Sequence, residues 1–443
     1  MLDGIVRLLE KTNNVKRSSY FWNAVSAMVL AMQSPVILMV MNRTNGVVDA
    51  GIFSIAIAVG NLMMYVGQYG LRRFQSSDIR EQYTFNTYHG MRIVTCSIMV
   101  IACLAYCMFG RMFRNYTGDK AIVVFLVCML KLFQAYTDVY HGHMQQRGRL
   151  DVATKCSSIR YALEIAAYCI TLIITPNLVL ATYVCVGVSF VVMMLTTINA
   201  GRYYSDSLKP EFTLRKLRSL AIDGFPLFLS MFLNIYVGNA PKYAIDAYLT
   251  DDVQSIFNMI FMPAFVIQII AHFIFNPILT TYAELWMAEE KSKFSEMMKL
   301  VRKQCMFVLG LLVLAILVAL TIGLPVLSLW FGEDLSAYKA ELCIIMFGGA
   351  MLAYSVYFST IIAIIRVQRS LILCYGAVSI VSLVISKWMV VDHGMMGASL
   401  LYAVLMTILA AALAAVVFRA FAAERARLNR ARAAGGIADD TLD

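Results

Sequence analysis

The sequence predicts an all-α integral membrane protein with about twelve transmembrane helices in two six-helix lobes. Three observations predict it. Sixty per cent of the 443 residues are hydrophobic and only 14% are charged, where a soluble domain carries roughly 25% charged residues. Apolar runs of about 20 residues, the length that crosses a bilayer as a helix, recur along the chain. Lysine and arginine fall on alternate connections between those runs, the pattern of a multi-pass protein.

The apolar runs lie at 20–41, 51–70, 93–110, 121–140, 161–175, 178–199, 220–245, 255–279, 306–330, 342–365, 371–391 and 396–420. Backbone exposed to lipid must satisfy its own hydrogen bonds, so each run is expected to be a helix. No strand-like alternation of the outer-membrane barrel type competes with that reading. The fifth run is short and is joined to the sixth by Thr175-Pro176-Asn177. The seventh is interrupted by Asp223, Lys242 and Asp246, and Pro241 suggests a kink or break there. With the N-terminus inside, the inner connections hold 29 of the 37 Lys and Arg residues and the outer ones hold 6. Both termini are therefore expected in the cytoplasm. The net charge of +10 is accounted for by this topology, so no nucleic-acid partner is expected. The first run is a full span without a small-residue cleavage site, so no cleavable signal peptide is expected. The 10 cysteines are scattered through apolar runs and read as small apolar residues rather than ligands or disulfides.

A repeat divides the chain. Ser34-Pro35, Asn42-Arg43 and Gly51-Ile-Phe-Ser54 are echoed by Ala240-Pro241, Tyr248-Leu249 and Ser255-Ile-Phe-Asn258. In each half a proline late in a span precedes a short polar loop, and an Ile-Phe pair opens the next span. The expected organisation is a cytoplasmic N-terminus (1–19), a first lobe (20–200), a cytoplasmic linker (201–219), a second lobe (220–420) and a basic cytoplasmic tail (421–443). Two halves around a cavity are a transporter architecture.

Ionisable residues at membrane depth are the candidate functional groups, because each costs roughly 2.5–3.5 kcal/mol on the insertion scale. Lys131 lies mid-way along the fourth run. It is either a cavity-facing cation or the partner of Asp138, two turns along the same face. Lys242 and Asp246 share a helix face, as an interfacial ion pair or as cavity lining. Arg43 closes the first span, at the outer interface or at the cavity. Arg72 and Arg73 end the second span and either fix topology or guide an anionic headgroup. Asp223, Glu164 and His272 lie near inner ends and read as structural polar groups. Asp251-Asp252 reads as a helix start. The tail from Arg419 to Arg432 suits a surface of anionic lipid. No Gly-rich phosphate loop, metal-ligand helix or Ser/His/Asp arrangement stands out, so neither an enzyme nor a cofactor or metal is expected.

The segment Asn239-Ala-Pro-Lys-Tyr-Ala-Ile-Asp-Ala-Tyr-Leu249, with Ile256-Phe257 and Phe261-Met-Pro-Ala-Phe265, resembles the start of the second half of bacterial polysaccharide flippases. These are O-antigen-type lipid-linked oligosaccharide translocases of the MATE-like multidrug/oligosaccharidyl-lipid/polysaccharide exporter superfamily. Gly51 to Ala58, Gln68 to Gln75 and Ser77-Asp78 are similar to the first half. The resemblance spans the chain. It implies a MATE-like fold in the bacterial plasma membrane and a substrate of undecaprenyl pyrophosphate carrying an oligosaccharide repeat. It implies movement of that substrate from the cytoplasmic to the outer leaflet by alternating access, with membrane lipids as neighbours and contact with polysaccharide assembly proteins left open. The family's cationic cavity would map onto Arg43, Lys131 and Lys242, with Arg72 or Arg73 near the cytoplasmic mouth and Asp246 and Asp138 as supporting acids. A polymerase or membrane glycosyltransferase would need a sizeable outer loop, which the sequence lacks. A drug or cation antiporter of the same superfamily would want acids deep in the spans.

Overall fold

The computed structural model describes residues 2–77, 82–205, 207–275, 279–287, 291–365 and 367–435. Helices account for nearly all of them: α1 (Leu2–Glu10), α2 (Val15–Thr44), α3 (Val47–Gln68), α4 (Leu71–Ser77), α5 (Phe85–Phe113), α6 (Gly118–Gln146), α7 (Leu150–Ile174), α8 (Leu178–Met193), α9 (Asn199–Tyr204), α10 (Leu214–Tyr248), α11 (Asp251–Phe275), α12 (Leu279–Met287), α13 (Lys291–Val318), α14 (Leu324–Phe331), α15 (Lys339–Ile364) and α16 (Arg369–Gly435). Among the described residues, 10 helical segments are long and apolar enough to cross a membrane. The last of these holds two helices joined at Gly394, whose backbone leaves the helical region, and the apolar α11 covers the eighth run as far as Phe275. Each apolar run of the sequence thus has its helix, and the chain is a multi-pass membrane protein.

Polar residues set the starts. The side chains of Asn14, Thr84, Thr117 and Asn177 each accept a hydrogen bond from the backbone N–H three residues on, which satisfies a donor the helix cannot. α5 and α7 begin at Phe85 and Leu150, well before the apolar runs at 93 and 161. Of the kink or break expected at Pro241, the break does not occur. α10 is one helix of 35 residues that contains both Pro226 and Pro241, a tolerance that membrane helices gain from neighbours that re-satisfy freed backbone groups. π-helical segments at Met194–Ile198 and Ala319–Gly323 are continuous with α8 and α13.

The chain forms two compact units. One is Met1–Asn258 with Trp330–Glu333, and the other is Met259–Leu329 with Asp334–Asp443. Packing thus divides the chain beyond the seventh span, whereas the sequence repeat draws the lobes on either side of 201–219. In the first unit α3 packs along α6, and α2 along α7. Small residues bring the backbones together: a Cβ on Gly67 would lie 2.8 Å from Met99 Sδ and 2.9 Å from the Ala135 Cβ. The amphipathic α1 buries Val6 and Leu9 and is tied down by Lys155, whose Nζ donates to the Leu9 carbonyl at 2.7 Å. In the second unit α15 and α16 form the most extensive helix pair, with Gly348 against the Tyr402 ring. All ten cysteines are free thiols, six of them buried.

Candidate functional site: the buried charges of the first unit

α6 carries Lys131 into the interior of the first unit, where it is 7% exposed. Its chamber is closed by Gln33 and Ile37 of α2, Phe53 of α3, and Tyr161, Glu164 and Tyr168 of α7. The chamber measures ≈ 10 Å³, room for about one water. Glu164 is the acid of this chamber. It accepts from Gln33 Nε2 at 2.7 Å and from Ser189 Oγ at 2.5 Å, and Arg160 Nε lies 3.6 Å away. Arg160 Nη1 donates to Thr137 Oγ1 at 3.2 Å and to the Phe133 carbonyl at 3.3 Å, and its Nη2 to the Tyr161 hydroxyl at 3.4 Å. Lys131 has no hydrogen bond or ion pair of its own among the described residues, and Glu164 and Arg160 are its charged neighbours. Two cations, Lys131 in the chamber and Arg160 beside it, thus neighbour one carboxylate, Glu164.

Asp138 sits seven residues on along α6, about 10 Å along the helix axis. It does not pair with Lys131. Its oxygens receive Arg92 Nη2 at 3.0 Å and Arg72 Nη1 at 3.4 Å. Arg92 is wholly buried and also donates to the Gly67 carbonyl at 2.7 Å. Arg72 is half-exposed and reaches Gln145 at 3.3 Å. Here again two cations share one acid. A cavity of ≈ 200 Å³ opens beside Arg72, Asp138, His141 and Gln68. It shares Gln134 and Tyr161 with the Lys131 chamber, so polar side chains run from one to the other through the bundle.

A third cluster lies at the opposite ends of α5, α6 and α10. Lys242 and Asp246 share α10 but take different partners. Lys242 Nζ donates to Asn258 Oδ1 at 2.6 Å. Asp246 forms ion pairs with Lys120 at 2.9 Å and Arg114 at 3.1 Å, and accepts from the Tyr116 hydroxyl at 2.5 Å. Burial and the neighbouring Tyr106 and Asp246 raise the Tyr116 hydroxyl far above its ordinary pKa, so it stays a donor. Lys120 also reaches Asp251 at 2.6 Å. That contact gives the first turn of α11 a cation as well as the favourable N-terminal dipole for its Asp251 and Asp252. Arg43 donates to the Trp330 carbonyl at 3.1 Å. The side chains of Arg73 and His272 lie outside the described residues.

The structure thus brings Arg72 together with Asp138, and sets Lys131, Lys242 and Arg43 in separate surroundings. Arg92 and Arg160 are absent from the sequence reading, which counted them with the inner connections. Glu164, read there as a structural group, lines the same chamber as Lys131. No metal-binding group of His, Cys, Asp or Glu occurs among the described residues.

No protein-family model matches the chain. It is 22% identical over 350 residues to the capsular polysaccharide biosynthesis protein CapF of Staphylococcus aureus, covering 79% of this chain and 85% of that protein. Among solved structures it is similar to the inward-facing form of a multidrug resistance MATE family transporter of the MOP superfamily. That match has a TM-score of 0.61 at 12% identity over 93% of this chain and 98% of the other. It is also similar to the lipid II flippase MurJ in its inward closed conformation, with a TM-score of 0.68 at 12% identity over 96% and 94% of the two chains. Over 93% or more of its length, the chain has the fold found in MATE transporters of the MOP superfamily and in the lipid II flippase MurJ.

Proposed function

We propose that the chain is a flippase that carries an oligosaccharide repeat on undecaprenyl pyrophosphate from the cytoplasmic to the outer leaflet for surface polysaccharide synthesis. The observation that carries this reading is the sign of the buried charge. In the first unit Lys131 and Arg160 both neighbour Glu164, and Arg92 and Arg72 share Asp138, so cations outnumber acids in these two clusters. A pyrophosphate loses its hydration at prohibitive cost in hydrocarbon, and fixed cations replace that hydration. The relative named for capsular polysaccharide biosynthesis and the fold of a lipid II flippase support the same substrate class.

In this reading both termini are cytoplasmic and the membrane is the bacterial plasma membrane. The two six-helix lobes, 20–200 and 220–420, alternate their opening between the two sides. Arg72 and Arg73 receive the headgroup at the inner mouth, and Lys131, Lys242 and Arg43 stabilise it on the way. The Lys131 chamber has room for about one water, so Lys131 meets a pyrophosphate only when α2, α6 and α7 part. No catalytic residue, cofactor or metal is invoked.

The test is a depletion strain in which lipid-linked repeat units are followed by leaflet. The expected result is their retention on the cytoplasmic side with loss of surface polysaccharide. Units that reach the outer leaflet but stay unpolymerised would instead assign the chain to a polymerase. A cation antiporter is the second reading, favoured by one observation: Glu164 is an acid buried within a span. Proton-driven efflux of a lipophilic cation from vesicles, lost in Glu164→Gln, would establish it over the flippase.

A further inference from the structure

At one end of the second unit a groove of ≈ 620 Å³ runs between the first turns of α13 and the last part of α16. Its lining is mostly apolar: Phe294 and Met298 of α13, with Ser295 between them, and Phe418 and Phe421 of α16, with Ala422 and Ala426 as a low floor. Phe294 packs edge-on against Phe421 with centroids 5.8 Å apart, so the base of the groove is built and not a gap between loose side chains. Phe418 is 51% exposed. At the end of the groove stand Arg425 and Asn429. Among the described residues Arg425 has no ion-pair partner, while its neighbour Arg427 is held by Glu424 at 3.2 Å. Lys299, Arg302, Lys303, Arg419 and Arg430 are exposed on the same two helices.

We propose that this groove is a binding site for an anionic phospholipid of the adjoining leaflet, with one acyl chain on the alanine floor and the headgroup phosphate on Arg425 and Asn429. Three features argue for that occupant. The groove lies beside these cations, at the charged ends of two helices that are each long and apolar enough to cross a membrane. Its apolar stretch from Phe418 to Arg425 runs about 10 Å along the helix, within the half-thickness of the hydrocarbon core. The one charged side chain in its lining is a cation, Arg425, and a zwitterionic headgroup satisfies a lone guanidinium less well than a net anion does. The alanines matter as much as the arginine: side chains any larger at 422 and 426 would fill the floor that the acyl chain needs. This inference does not rest on the flippase reading, since any protein with this pair of helices would present the same groove.

The test uses the purified full chain in detergent, with phosphatidylglycerol, phosphatidylcholine of the same acyl chains, polyprenyl phosphate and inorganic phosphate as separate probes. Retained adducts are counted by native mass spectrometry and thermal unfolding is followed in parallel. The expected result is phosphatidylglycerol adducts and a raised Tm for the native chain, with neither from inorganic phosphate. Arg425→Gln weakens the binding about fivefold, equivalent to about 1 kcal/mol, the worth of one cation at an anionic surface. Ala422→Trp abolishes it by filling the floor while keeping every charge, and Arg430→Gln leaves it within twofold or so. Equal binding of phosphatidylglycerol and phosphatidylcholine, an unchanged affinity in both Arg425→Gln and Ala422→Trp, or binding of polyprenyl phosphate alone would each overturn the assignment.

Discussion

Removing Asp138 tests the charge ledger of the first unit most directly. Its carboxylate is the only acid within ion-pair reach of Arg92 among the described residues, and Arg92 has no solvent exposure. Asp138→Ala therefore leaves a buried guanidinium with the Gly67 carbonyl as its remaining partner, a loss worth about 3–5 kcal/mol. The Arg72 arm adds little. It is longer, at 3.4 Å, with the Arg72 side chain 35% exposed, and such pairs contribute roughly 0–1 kcal/mol. Replacing both partners by apolar residues, Arg92→Met with Asp138→Leu, removes the stranded charge and should recover most of the stability, as apolar substitutes for buried ion pairs commonly do. Unfolding of the purified variants in detergent can be read through Cys96, a buried thiol one turn from Arg92 on α5 that becomes reactive as the bundle opens. A loss below about 1 kcal/mol for Asp138→Ala, or a double variant no better than the single one, would refute the reasoning.

Further predictions concern other parts of the chain. Lys131→Met should leave membrane abundance equal or higher, since a neutral residue is cheaper by roughly 2.5–3.5 kcal/mol at that depth, while surface polysaccharide falls; abundance that falls together with activity would make Lys131 a structural residue. Gly51→Ala should destabilise the first unit, because its Cβ would lie 1.7 Å from the Asp251 carbonyl oxygen; native levels and an unshifted unfolding temperature would count against the close approach of α3 to α11. Lys216, Thr87 and Thr213 hold the Glu211 carboxyl down at about 2, against an ordinary 4.5. Its contribution to stability is thus in place above pH 4.5 and is lost as pH falls toward 2; Glu211→Gln should flatten the stability–pH curve in that window alone, and an unchanged slope would remove Glu211 from the account. Asp246→Asn should loosen the contact between α10 and the ends of α5 and α6, read as faster thiol labelling of Cys107, which is buried on α5.

The spans were legible because hydropathy and charge placement report lipid contact, which is the property that makes them spans. What they do not report is the interior. Arg92 and Arg160 stand just before or just inside apolar runs, so a reading that starts each span where the charges stop assigns them to water. The helices begin earlier, at Phe85 and Leu150, and turn these arginines toward α3 and α6 rather than toward lipid or solvent. Lys131 was visible because it stands alone in an apolar run. Its chamber partners were not: Gln33 and Ser189 lie 131 and 25 residues from Glu164 in sequence, and no periodicity joins them. By face and spacing, Asp138 and Asp246 are each a possible partner for a lysine on their own helix. The structure gives both to cations on other helices, since a carboxylate buried between helices is reached more easily by a long side chain from across the contact.

The joint at Gly394 bears on how the chain enters the membrane. The two spans of α16 meet there at a single glycine with φ 57°, and Gly397 comes so close to Met389 that a Cβ would lie 1.7 Å from its carbonyl oxygen. There is almost no polar loop to be carried across the bilayer. The pair can therefore partition from the translocon as one pre-folded hairpin instead of as two segments inserted in turn. Biogenesis of this end of the protein then depends less on the hydrophobicity of either helix than on whether the bend can form.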